Sequence, residues 1–574
     1  MFRYIFPVLV LLSSSLFAQP AWVAKSNEHA KVALQTLAKL SPEGAAQMGL
    51  EGYDEGISDL SSGVLERTLQ ANRDALAELE KRRKAEADPL VKQDLDIMIT
   101  ATRDAIRTAE LNQKYRIPYI NVAQVVFGGL NALLDDQVKE NRRPAALTRL
   151  KKYAGLEKGY KPIAVLAEER TRERLKTSGL IGPPRDQVEK DLKNASFFLN
   201  GIGQSFAKYK IAGYEEALAK LKEQVTAYNQ FVQNEVLPVT RTDFRLPPEL
   251  YLNSLHGYGV DIAPAELATM AHKSFLEFQA QANEVARVVA KEKGFSVTDY
   301  RDVIRALKKE QLASGQIVDH YRTRIAQIEE IVRKQSLVTL PTRPARMRLA
   351  SAAESAGQPA PNMRPPRLIG NTGESGEFIL PLNNPGANNQ QTDDFTFAAA
   401  SWTLSCHEAR PGHEMQFSKM VETGVSTARA IFAFNSTNVE GWGLYSEWMM
   451  FPYMPAEGQL ISLQHRMMRA ARAFLDPELQ AGKMTPVEAK RILLEDVVLS
   501  DPMATQEVDR YTFRAPGQAT SYYYGYTRLL QLRLDAEKKM GAKFEPKAFH
   551  DFLLSQGLLP PAILRKAVME QYVR

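Results

Sequence analysis

The strongest chemical signal in the chain is the segment Ser405-Cys406-His407-Glu408-Ala409-Arg410-Pro411-Gly412-His413-Glu414. In the zinc motif His-Glu-x-x-His, a spacing of four puts both imidazoles on one helical face. The glutamate between them then lies beside the water that the metal activates. Here the histidines are six apart. Six steps of about 100° leave the second imidazole about 120° from the first, so an unbroken helix cannot chelate. Pro411 and Gly412 supply a bulge: proline cannot continue the hydrogen-bond ladder and glycine accepts unusual dihedrals, so two residues can loop out and return His413 to the face of His407. The plainer alternative is a helix ending at Arg410 with two unrelated histidines, and spacing alone does not choose between them.

A zinc site needs a third protein ligand. In Asn438-Val439-Glu440-Gly441-Trp442-Gly443-Leu444-Tyr445-Ser446-Glu447, the two glutamates are seven apart and share a helix face. Two histidines and one glutamate leave a fourth position for water, which suits hydrolysis. Glu440 is the expected ligand, and Glu447 is expected to orient a histidine. The alternative, a solvated stripe, fits poorly with Trp442, Leu444 and Trp448 beside it, because buried carboxylates need a partner. Glu408 is the expected general base. Cys406, the single cysteine, reads as a small buried hydrophobe.

Three ordered blocks resemble the bacterial DUF885 family: His-Glu-Ala-Arg-Pro-Gly-His at 407–413, Glu-Gly-Trp-Gly-Leu-Tyr-Ser-Glu at 440–447, and Arg510-Tyr511 followed by Pro-Gly-Gln-Ala-Thr-Ser-Tyr ending at Tyr522. The resemblance implies a relative of the gluzincin-like zinc metallopeptidases with a deep cleft between helical lobes. It also implies Glu440 as third ligand, since it opens a Glu-Gly-aromatic turn. One departure stands out: Asp476-Pro477-Glu478-Leu479-Gln480 occupies the place of Asp-x-Gly-x-His, so Gln480 replaces a histidine. If that histidine contacts substrate, its loss changes specificity or lowers activity.

Tyr522 is expected to donate to a developing oxyanion, with packing as the competing role for any one tyrosine of that cluster. Arg510, Tyr511 and Gln518 are expected to bind substrate. Arginines such as Arg510, Arg514 and Arg528 could clamp a terminal carboxylate, and exposed salt bridges explain them equally well.

The elements that must position these groups are mostly helical. From about Asn27 to Gln335 helix formers dominate, with stripes such as Leu65, Leu69, Leu76 and Leu79. Breaks fall at Ile117-Pro118, Gly182-Pro183-Pro184 and Leu246-Pro247-Pro248, and a helix start at Ala263-Pro264. Between Ser336 and Gln391 the chain turns rich in Pro, Gly and Asn, with one strand candidate, Phe378–Leu382, whose edge could take an extended peptide. After Asp393 and Asp394 a helix is expected from Phe395 onward. Residues 1–18 read as a signal peptide, with a membrane anchor as the alternative for the same apolar run. The remainder divides into an N-terminal helical region, 19–335, and a catalytic region, 336–574.

The formal charge of +6 is spread among interspersed Lys, Arg, Asp and Glu, which argues against nucleic acid. A lone cysteine excludes intrachain disulfides. The expectation is therefore a mainly α, two-lobed, metallopeptidase-like fold with a central cleft and a small β element. It is expected to be exported, periplasmic or secreted, without stable membrane insertion after signal cleavage. The expected activity is zinc-dependent (Zn2+) hydrolysis of a peptide or small amide. The alternatives are a weak or inactive peptide-binding protein of the same fold, or a zinc amidase or esterase.

Overall fold

The computed structural model describes residues 20–384, 390–391 and 393–573. The expected signal segment, 1–18, lies outside them. Helix makes up 69% of the structure and strand 3%, so the class is mainly α with a small β element, as expected. Among the described residues no helix is long and apolar enough to cross a membrane.

Local chemistry explains the helix boundaries. Helix Pro89–Tyr115 starts at Asp88, whose side chain accepts from the amides of Leu90 and Val91, and stops just before Ile117-Pro118. Helix Pro264–Lys293 begins at the expected proline and ends at Gly294, which takes a left-handed φ of 69°. Its apolar stripe, Leu267, Ala271, Phe275, Phe278 and Ala282, is buried, and it packs along helix Ala456–Gln480. There the Phe275 and Phe474 rings meet edge to face at 5.6 Å. Burying each such side chain contributes roughly 1.5–3 kcal/mol.

The main core therefore joins helices Pro264–Lys293 and Ile317–Lys334 to the helices that follow Ala400. A second core is built from residues between Val122 and Val236, with Ala353 closing it.

The β element is a three-stranded sheet of β1 (Arg346–Leu349), β2 (Asn362–Arg364) and β3 (Glu377–Leu380), in the order β1-β3-β2. The strand expected at Phe378–Leu382 exists as β3, but its expected role is corrected. It is central, parallel to β1 and antiparallel to β2, so both of its edges are already paired. Phe378 and Leu380 are fully buried, with the Phe378 ring edge-on to Tyr321 at 5.5 Å. That burial draws β3 to the middle. The helix expected from Phe395 starts later, at Ala400.

Candidate metal centre

Helix Ala400–Leu404 widens into a π turn over Ser405–Ala409. Arg410 is extended (φ −128°, ψ 134°), and a new helix, His413–Thr423, begins at the second histidine. The expected bulge within one helix is thus a break between two. Gly412 permits it: a Cβ there would lie 1.9 Å from the His407 carbonyl oxygen and 2.3 Å from that of Cys406. Trp442 Nε1 and Ser446 Oγ donate to the Pro411 carbonyl at 2.9 and 3.2 Å, tying the break to helix Ser436–Met450. Buried Arg410 donates to Glu414 (2.7 Å), Glu329 (2.6 Å) and the Arg343 carbonyl (2.5 Å), so Glu414 serves an ion pair.

The break brings the imidazoles together. Their centroids are 4.6 Å apart at 79°. Nε2 of His407 and Nε2 of His413 lie 3.3 and 3.2 Å from the same oxygen, Glu440 Oε2. A tetrahedral zinc ion with bonds of about 2.0–2.1 Å separates its ligand atoms by about 3.3–3.4 Å. Two imidazole nitrogens and one carboxylate oxygen at these separations fit such an ion. Proximity also admits Glu408, which has an oxygen within 4.8 Å of both histidines' ligating atoms. Glu440 is the better third donor because a single oxygen meets both nitrogens. Against the penalty of burial, hydrogen bonds from His407 and His413 hold its carboxyl well below the ordinary range.

Glu447 occupies the opposite edge of the first imidazole. Its Oε1 is 2.7 Å from His407 Nδ1, and its Oε2 accepts from Thr403 at 2.5 Å. Burial works against the charged form, yet the Arg469 guanidinium and the His407 bond hold Glu447 down at about 2. This carboxylate fixes which nitrogen of His407 faces the centre. Nδ1 of His413 is buried without a partner among the described residues. Between the two glutamates, Gly443 forms the floor: a Cβ there would come within 2.7 Å of His407 and 2.8 Å of His413.

His413 and Glu440 line a cleft of about 670 Å³ together with Glu408, Arg510, Arg514, Gln518, Tyr522 and strand β2 at Asn362 and Met363. Burial, reinforced by Glu440 and offset by His413, pushes the Glu408 carboxyl up to about 8. Tyr522 stacks parallel to His407 at 6.0 Å, and its oxygen accepts from Arg510 at 2.9 Å. Close approach of Gly441 to Gly525 allows this placement: a Cβ on Gly441 would lie 2.7 Å from the Gly525 backbone. Helix Thr520–Met540, which carries Tyr522, therefore lies directly on the Glu440 helix. Gln518 accepts from Arg510 and donates to Ser436 at 3.0 Å.

Two residues singled out in the sequence lie outside the cleft lining. Tyr511, expected to bind substrate, is fully buried and absent from the cleft lining. Its hydroxyl donates to Glu507 at 2.7 Å because the π turn Arg510–Arg514 aims it inward. Gln480, which stands in the place of the histidine of the resembled pattern, is also outside the lining. It accepts from the Leu246 amide and donates to the Tyr511 carbonyl, both at 2.9 Å.

Gly443, Arg469 and Glu507 escaped the sequence reading. Gly443 left a trace, a glycine between two carboxylates on one helix face. Arg469, which pairs with Glu447, and the Arg472–Glu507 pair left none, because they join separate helices.

Fold and site together define a helical protein with two buried histidines and one half-buried glutamate clustered at the wall of a cleft. The chain belongs to the family described as bacterial protein of unknown function (DUF885), whose family model matches residues 42–568. A search of curated proteins finds no match. Among solved structures, a presumed lipoprotein from Colwellia psychrerythraea is similar with TM-score 0.73 and 19% identity, covering 96% of this chain and 99% of that one. A presumed lipoprotein of unknown function from Shewanella oneidensis is similar with TM-score 0.69 and 18% identity, covering 96% and 100%. At these identities the likeness is one of fold.

Proposed function

We propose that the chain is an exported zinc-dependent hydrolase, most specifically a peptidase related to the gluzincin-like enzymes. The observation that carries this reading is the contact of one Glu440 oxygen with Nε2 of both His407 and His413, with Glu408 beside them in an open cleft. Export is supported by the leader-like residues 1–18 and by the descriptions of the two solved neighbours.

His407, His413 and Glu440 would hold zinc, which when bound supplies Lewis acidity toward water and a carbonyl. Glu408, with a carboxyl oxygen within 4.8 Å of the ligating atoms of both histidines, takes a proton from water and passes it to the leaving amine. Arg510 donates to the Tyr522 oxygen, which leaves the phenol proton free to donate to a carbonyl oxygen in the cleft. The edge of β2 facing the cleft suits an extended main chain. Because both polar ends of the Gln480 side chain serve backbone groups outside the cleft, this residue gives no reason to expect an inactive site.

The test combines metal analysis of the purified protein with digestion of a mixed peptide library, and of matched amides and esters, by wild type and Glu408→Gln. One zinc per chain in both proteins, with peptide cleavage only in the wild type, is expected. Zinc binding with equal cleavage by Glu408→Gln, or turnover of esters and simple amides alone, would overturn the peptidase reading.

A further inference from the structure

A second cavity, of about 680 Å³, shares no lining residue with the metal cleft. Two backbone bridges shape it. The segment at Ile181–Pro184 pairs at one end with Arg116 and at the other with Arg241. The amides of Ile117 and Ile181 close the first bridge at 3.0 and 2.8 Å, and those of Arg241 and Arg185 close the second at 3.1 and 3.0 Å. The segment thus holds two cationic residues around one hollow.

The lining carries four arginines, Arg116, Arg170, Arg174 and Arg241, against two glutamates, Glu66 and Glu173. Arg170 is paired with Glu173. The other three have no carboxylate within ion-pairing distance among the described residues. Arg174 donates to the Gln113 carbonyl at 2.5 Å, and Arg241 to the carbonyls of Asp243 and Arg245 at 2.6 and 3.3 Å. Nε of Arg174 and Nε of Arg241 are buried with no acceptor among the described residues. Burial first, and then the neighbouring Arg116, lowers Arg241 to about 10.

Arg174 and Arg241 are half-buried and Arg116 is exposed; like charges gathered around one hollow, two of them with buried donors unmet among the described residues, are unfavourable unless an anion joins them. Arg116, Arg174 and Arg241 offer forked donors suited to a carboxylate or phosphate. Leu65, Ile117, Ile120, Ile181 and Pro183 form an apolar stretch of the wall, beside the neutral polar side chains of Asn112, Gln113 and Gln187. The volume lies within the range of small-molecule sites. We infer that this cavity binds a small amphiphilic anion, its carboxylate or phosphate head held by Arg116, Arg174 and Arg241 and its apolar body lying against the isoleucines.

Calorimetric titration of the full chain with decanoate, decyl phosphate and decanol tests this. One molecule of decanoate or decyl phosphate per chain is expected, with the stronger of the two identifying the head, and decanol at least tenfold weaker. Arg116→Gln loses no side-chain hydrogen bond among the described residues and should weaken anion binding tenfold or more; Arg116→Gln with Arg241→Gln should abolish it. Arg514→Gln, in the metal cleft, should bind as the wild type does. No binding, decanol binding as tight as decanoate, wild-type affinity in Arg116→Gln, or a loss caused by Arg514→Gln instead would overturn the site.

Discussion

Gly443 lies directly beneath the His407 ring, so close that a Cβ would sit 2.7 Å from its Cε1. The same Cβ would come within 2.8 Å of His413. The first ring cannot retreat, because Glu447 grips its Nδ1 at 2.7 Å. Gly443→Ala should therefore splay the two donors and lower zinc affinity at least tenfold, with far-UV circular dichroism unchanged. Competition against a chromophoric chelator measures it, and wild-type affinity would remove Gly443 from the architecture of the centre.

Glu440 and Glu447 stand on opposite edges of His407, so substituting each should have a different signature. Glu440→Ala removes a donor and should abolish stoichiometric zinc binding. Glu447→Gln should keep one zinc per chain and weaken it about 10–100-fold, the range found when a partner of a ligating histidine is lost. If the two effects were exchanged under metal titration, the ligand assignment would be reversed.

The contrast between these glutamates was partly legible in the sequence. Seven-residue spacing on an apolar helix implies a shared buried face, and the Pro411-Gly412 pair between the histidines implies an interruption. Spacing could not say whether the interruption is a bulge or a break, since that depends on Trp442 and Ser446 capturing the Pro411 carbonyl from another helix. Strand β3 was legible from its apolar run, but its central position was not. The strands that flank it, Arg346–Leu349 and Asn362–Arg364, are four and three residues long, so their alternation, Arg-Met-Arg-Leu and Asn-Met-Arg, is too brief to mark a strand. The sequence placed both Tyr522, as oxyanion donor, and Tyr511, as a substrate-binding residue, at the site. The π turn separates them, burying one on Glu507 and leaving the other on the cleft.

Tyr522 accepts from Arg510 and stacks on His407, so its hydroxyl is held in place before any substrate arrives. Removing that donor should act on the chemical step. Tyr522→Phe is expected to lower kcat about 10²–10³-fold, as loss of one oxyanion donor does, with zinc content and KM nearly unchanged. An effect confined to KM would make Tyr522 a binding residue.

Asp476 supplies a pH dependence independent of the metal. It is fully buried, accepts the Gly517 amide at 2.9 and 2.8 Å and the Tyr251 hydroxyl at 2.9 Å, and burial nonetheless pushes it up to about 7. A carboxyl whose folded pKa is raised contributes stability that is complete below the unfolded value, 3.8, and is lost as pH rises through about 7. The shift corresponds to a loss on the order of 4 kcal/mol between pH 4 and 8. Asp476→Asn does not titrate, so the wild type should lose stability relative to this variant over that window. Other groups titrate alike in both proteins and cancel in the difference. Urea unfolding of the pair at several pH values measures it, and stability curves that run parallel from pH 4 to 8 would mean that Asp476 stays ionised within the core.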